Sequence, residues 1–169
     1  MPDSVRPVDR LVTTEDAVTI DLRDEVVLHR SALKGAMSRF EGALASPAGA
    51  NGDRWLRDTT TSLAALNREV ERHIEFHEGV DSFHQEILRQ QPHLEPRINR
   101  LQREHLRARQ LMAEIMAALE TAEQGAVLTP DAAEVRMLGA ELLLLLVHHR
   151  QRGADLVWDS VNLDLGLGD

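Results

Sequence analysis

Four segments of this chain carry apolar residues at alternating intervals of three and four positions. This spacing places side chains on one face of an α-helix, the face that packs into a protein core. The four stripes run from Leu22 to Phe40, from Leu56 to Ile87, from Ile98 to Leu119 and from Val135 to Leu156. Segments with the two-residue period of a β-strand are nearly absent. The pattern predicts an all-α protein, an up-down-up-down four-helix bundle.

Each stripe also contains histidine. The histidines on the predicted core faces are His29, His73, His77, His105 and His149. With a rise of about 1.5 Å per residue, the distances from the predicted helix ends place His105 level with His149 and His29 level with His73. His77 is offset from His105 by roughly one turn on the same count. We therefore expect these five imidazoles to meet in one interior layer.

Several imidazoles in one apolar core require partners, because burying a polar group without a hydrogen bond is unfavourable. A metal ion would satisfy all of them at once, and a metal-free polar network is the alternative. The chain has no cysteine, so a metal would be held by histidine and carboxylate. The remaining histidines, His84, His93 and His148, are assigned to the surface or to the surroundings of the site.

The predicted organisation is a flexible N-terminal arm at residues 1–12, a four-helix bundle at residues 13–158 and a C-terminal tail at residues 159–169. The second helix is expected to run from about Asp53 to Gln90, with a kink or bulge at Gly79, because glycine is unfavourable inside a helix. The connections between helices are rich in proline and glycine.

Charge and hydropathy exclude several classes of protein. The net charge is −9, and the basic residues are scattered, which argues against binding to nucleic acid. The longest apolar run, Leu142–Val147, is too short to span a membrane, and the N-terminal residues lack a signal-peptide core. We expect a cytoplasmic protein. Arginine supplies nearly all of the positive charge, which suggests a GC-rich bacterial genome.

On these residues the chain resembles the hemerythrin-like (HHE) cation-binding proteins over about Glu15–Trp158. Those proteins are four-helix bundles that hold two irons bridged by oxygen and carboxylates. His29, His73, His105 and His149 match the first histidine of the family motif on each helix. The segments QREHLRARQLM and HHRQRGADLVWDSVN are similar to the third and fourth helices of bacterial members.

The chain departs from the family pattern at three positions. His77 stands where the second motif has glutamate, Arg109 where the third has a second histidine, and Ala154 where the fourth has aspartate. The nearest carboxylates are Glu78, Asp81 and Asp155. On a regular helix Glu78 and Asp155 are turned roughly 120–140° from His73 and His149, so only a local bulge would let them ligate. A histidine-rich mononuclear site is therefore as tenable as a di-iron centre.

The resemblance implies a non-haem iron protein with one or two ions, zinc being the other metal considered, and a small ligand such as O2. Its role would be O2 binding, redox chemistry, or iron-related sensing or storage. Enzymatic activity is left open and is the less favoured prediction. The alternative is a degenerate, metal-free bundle that acts as a protein-interaction module. A hydrolase is a third reading, but no nucleophile-elbow or phosphate-loop spacing is present. Binding to nucleic acid or membrane is not expected, and a homodimer is left open.

Overall fold

The computed structural model describes residues 14–48, 52–80, 82–123 and 132–162, and the side chains of residues 28–48, 52–80, 82–121 and 132–161. All regular structure in these ranges is helical, which confirms the all-α prediction for them. The predicted arm at residues 1–12 and residues 163–169 of the predicted tail lie outside the described residues. The helices are α1 (Thr14–Ala45), α2 (Gly52–Glu78), α3 (Phe83–Gln90), α4 (Glu95–Glu123) and α5 (Ala132–Asn162), with a 3₁₀ turn at Pro92–Leu94.

The four long helices pack as a bundle. Helix α1 contacts α2 and α5, and α4 contacts the same two helices, so each long helix has two neighbours around a shared interior. The apolar stripes supply that interior, because residues three and four positions apart point the same way from a helix. The largest fully buried side chains of the main core include Leu33, Phe40, Leu63, Leu66, Leu111, Ile115 and Leu142.

A second, smaller apolar cluster lies at one end of the bundle and consists of Ile87, Leu94, Ile98, Leu101 and Leu156. The histidines fall between the two clusters along the helices. On α4, His105 lies between Leu101 of the small cluster and Ala108 of the main core, and His149 on α5 has the same arrangement. The imidazoles are therefore enclosed by apolar residues on both sides.

The prediction of one helix from Asp53 to Gln90 is wrong. Helix α2 ends at Glu78, and α3 begins at Phe83 after a turn in which the Ser82 N–H donates to the Gly79 carbonyl at 3.1 Å. At Gly79 a Cβ atom would lie 2.6 Å from the carbonyl oxygen of Glu75, closer than real Cβ contacts. The turn therefore requires glycine, and it ends the helix rather than bending it.

Replacing Gly79 with alanine is expected to destabilise the protein by about 1–3 kcal/mol, because the new Cβ must displace backbone. It should also move the adjacent Glu78. The matched control is Gly42→Ala in α1, where a Cβ meets no atom within 4 Å. That change should stabilise the protein by up to about 1 kcal/mol through helix propensity. Urea denaturation of both variants measures the difference, and equal stability would contradict this account of the turn.

Helix α5 continues to Asn162, four residues beyond the predicted end of the bundle. Two contacts hold this last turn, one from the start of α4 and one from the residue before the 3₁₀ turn. Arg97 pairs with Asp159, and the Gln91 side-chain amide donates to the Ser160 carbonyl at 2.7 Å. None of the helices in the described ranges is long and apolar enough to cross a membrane.

Candidate metal centre

Three of the predicted histidines, one from each of α2, α4 and α5, converge in the bundle interior. His73, His105 and His149 are buried, and one ring nitrogen of each lies within 4.8 Å of the other two. The Nε2 atom of His149 is central, at 3.0 Å from Nε2 of His73 and 3.1 Å from Nε2 of His105. Two nitrogens bound to one ion at 2.0–2.1 Å lie about 2.9–3.4 Å apart. The two spacings from His149 fall within that range, and the His73 and His105 nitrogens lie within 4.8 Å of each other.

A carboxylate lies behind each of two of these rings. Nδ1–H of His105 donates to Oε1 of Glu78 at 2.5 Å, and Nδ1–H of His149 donates to Oε2 of Glu104 at 3.2 Å. A carboxylate only accepts hydrogen bonds, so each Nδ1 carries the proton and each Nε2 presents a bare lone pair. This His–carboxylate arrangement is typical of metal-binding histidines, because it fixes the tautomer and the direction of the ring.

The fixed tautomers create a conflict at the centre of the cluster. The Nε2 lone pairs of His105 and His149 face each other at 3.1 Å with no proton between them. If His73 donates its Nε2 proton to His149, the single lone pair of His149 is used and His105 still lacks a donor. In neutral imidazoles only one of the two short contacts can be a hydrogen bond.

His77 and His84 extend the cluster past the end of α2. The His77 ring lies 4.3 Å from the His73 ring, and the His84 ring lies 4.9 Å from the His77 ring, measured between centroids. His84 is only 4% exposed, which rules out the surface position considered for it and leaves the surroundings of the site. Among the described residues, Nδ1 of His73, His77 and His84 is buried without a hydrogen-bond partner.

His29 on α1 lies beside this group rather than within it. It is half-buried, and its ring stacks on Phe76 with centroids 4.8 Å apart. The three-nitrogen group does not include it. Three imidazoles therefore form the group, instead of the expected layer of five. The His77 ring contacts the His73 ring, and His29 lies at the edge.

Burial controls the protonation of the cluster. Desolvation, followed by repulsion from neighbouring imidazoles, lowers the pKa of His73 to about 3 and that of His84 to about 4. The same two causes lower the pKa of His77 and His149. Burial also lowers the pKa of His105, opposed by its hydrogen bond to Glu78. All five rings are therefore neutral near pH 7, the form that ligates metal.

The other predicted site residues lie elsewhere. Asp155 is exposed, accepts a hydrogen bond from Gln151 at 3.1 Å and does not belong to the group of three imidazoles. Arg109, at the position where the family motif has histidine, pairs with Glu71 near the surface. Asp81 lies outside the described residues. His93 and His148 are exposed, which agrees with the first of the two positions considered for them, the surface.

The sequence-based reasoning missed Glu104. This side chain is buried. Its other oxygen, Oε1, forms an ion pair with Nε of Arg152 at 2.7 Å and accepts a hydrogen bond from Nε of Arg100 at 3.3 Å. The signal was present, because Glu104 follows Leu101 by three positions and precedes Ala108 by four. A carboxylate on the apolar stripe itself is rarely buried without a partner.

A small cavity adjoins the histidines. It has a volume of about 20 Å³, room for a molecule of a few atoms at most. Its lining includes His73, His77, His84, His149 and two arginines, Arg30 and Arg150.

No protein-family model, characterised protein or solved structure matches this chain.

Replacing Glu78 with glutamine is expected to weaken metal binding by about 10- to 100-fold, because an amide no longer holds the His105 tautomer as a carboxylate does. Glu75→Gln is the matched control, since Glu75 is an exposed glutamate on the same helix. Competition titrations with a chromophoric chelator would measure both affinities. Equal affinities for the two variants would exclude a role for Glu78 in orienting His105.

Proposed function

We propose that this chain is a metal-binding helical-bundle protein in which Nε2 of His73, His105 and His149 hold one transition-metal ion. The observation that carries the proposal is the pair of opposed lone pairs on His105 and His149 at 3.1 Å. A cation between them turns a repulsive contact into two ligand bonds and leaves Nε2 of His73 free to supply a third. One ion then satisfies every Nε2 atom of the group.

One metal ion fits the residues better than two. The two carboxylates nearest the centre, Glu78 and Glu104, each contact Nδ1 of a histidine and therefore support ligands instead of bridging metals. The other predicted carboxylate described in the structure, Asp155, is exposed and does not belong to the group. We accordingly propose a mononuclear site with three imidazole ligands.

The topology of the bundle, the identity of the metal and its external ligand are proposed from the resemblance to hemerythrin-like proteins. We propose an up-down-up-down arrangement of the four long helices and iron as the metal, although three imidazoles also suit zinc, copper and nickel. An ion with three protein ligands supplies an open coordination position for a small molecule such as O2. The chain supplies the adjoining cavity and the apolar clusters that exclude bulk water. O2 binding, redox chemistry or iron sensing are the roles that this arrangement can serve.

Metal analysis of the purified protein tests the proposal. After expression with added iron, zinc and copper, we expect close to one equivalent of metal per chain. For iron, the near-ultraviolet and visible spectrum before and after dithionite should report oxidation state and nuclearity. Metal content far below one equivalent for all three elements would contradict the proposal.

The second candidate is a protein-interaction module. Exposed apolar residues recur along the outer face of α5 at Leu144, Val147, Trp158 and Val161, and Trp158 is 70% exposed. A surface of this kind is typical of a contact with another chain. Sedimentation of the wild-type protein and of Trp158→Glu would test it. If both proteins are monomeric, self-association does not explain the exposed apolar surface of α5. If the purified protein also contains no metal, binding to a different partner chain becomes the favoured function.

A further inference from the structure

Two arginines line the cavity beside the histidines. Arg30 comes from α1 and Arg150 from α5, so the cavity wall joins two neighbouring helices of the bundle. His73 and His149, two of the three proposed ligands, line the same cavity. The proposed metal and two arginine side chains therefore lie around one small space.

These arginines have no carboxylate partner among the residues whose side chains are described. Nε of Arg150 is buried and makes no hydrogen bond within that part of the chain. Burial, together with repulsion from Arg150, lowers the pKa of Arg30. Two like charges brought together without an acid between them are unfavourable unless a negative group joins them.

The nearby acids are already engaged. Glu104 contacts His149 and pairs with Arg152, and Glu78 contacts His105. Those contacts offset charge behind the imidazoles, so within the described part of the chain no acid is left to compensate Arg30 and Arg150. A metal cation would add further positive charge to the cavity wall.

We propose that this cavity binds a small anion, of the size of nitrite or formate, between Arg30 and Arg150 and next to the metal. Guanidinium groups bind oxyanions through paired, charge-assisted hydrogen bonds. The volume of about 20 Å³ limits the ligand to a few heavy atoms. The metal contact in this inference rests on the proposed function, whereas the two arginine contacts do not.

Nitrite titrations of metal-free and cobalt-loaded protein test the inference. Calorimetry follows binding to the metal-free protein, and the visible cobalt bands follow it in the loaded protein. Arg30→Gln and Arg150→Gln should each weaken nitrite binding by about 10-fold or more, because each removes a charge-assisted hydrogen bond. Arg57→Gln is the matched control, because Arg57 is exposed on α2 and about 24 Å along that helix from His73.

The variants should fold, because each removes one of two charges that repel each other, and circular dichroism will verify this. Cobalt stoichiometry, measured first, should be the same in all four proteins. No uptake of cobalt by the wild type would contradict the proposed function alone, since arginine-dependent nitrite binding to metal-free protein would still support the anion site. Nitrite affinity unchanged in both arginine variants, or no nitrite binding to the wild type in either form, would overturn the inference.

Discussion

Replacing His149 with glutamine is expected to weaken binding of the metal by about 100-fold or more, equivalent to about 2.7 kcal/mol. His149 is the central ligand, because its Nε2 is the atom within 3.1 Å of the Nε2 atoms of both His73 and His105. Its loss removes one ligand bond and separates Glu104 from the site. Calorimetric titration with cobalt or zinc, starting from metal-free protein, gives the affinity and the stoichiometry.

The neighbouring residue provides a matched control. His148 precedes His149 on the same helix but is exposed, so His148→Gln should leave affinity and stoichiometry unchanged. A surface site for adventitious metal would respond to either substitution alike. Equal losses in the two variants, or no loss in His149→Gln, would remove His149 from the proposed ligand set.

The metal-free protein is expected to lose stability steeply as the pH falls from about 6.5 to 5. Burial lowers the pKa of His73, His77, His84, His105 and His149 below the ordinary histidine value of 6.5. In this interval the unfolded chain therefore binds protons that the folded chain does not. Each proton of difference changes the free energy of unfolding by about 1.4 kcal/mol per pH unit. We expect a fall of about 3 kcal/mol per pH unit or more, measured by urea denaturation in EDTA.

The double variant His73→Leu, His77→Leu should reduce this slope, because it removes two of the titrating groups. Without metal it should also be more stable than the wild type at neutral pH, since leucine has no polar atoms to bury. With metal present the order should reverse, because only the wild type gains binding energy. An unchanged slope in the double variant would show that these imidazoles do not govern acid unfolding.

The periodicity of the sequence predicted the helices and the inward direction of four histidines, because a helix fixes which residues share a face. Counting residues from the helix ends was enough to place His105 level with His149. The end of α2 at Glu78 was not predicted, because Gly79 was interpreted as a kink or bulge within one continuous helix. The close approach of Gly79 to the Glu75 carbonyl is a property of the turn, which helical periodicity does not reveal.

The carboxylates were predicted less well than the histidines. Glu78 was considered as a metal ligand that would require a bulge in the helix. It is instead the last residue of α2, and its carboxylate contacts Nδ1 of His105. Its partner is 27 positions away in the chain, so no local pattern could identify the pair. Glu104 could have been found from its place on the apolar stripe, but its contact with His149 depends on how α4 and α5 pack.

Diffraction from crystals of the zinc- or iron-loaded protein, collected at the absorption edge of the metal, would show whether an ion lies between the three imidazoles. We expect one strong anomalous peak inside the bundle, about 2.0–2.2 Å from Nε2 of His73, His105 and His149. An interior without a peak, or a peak that these three imidazoles do not surround, would contradict the proposed metal site.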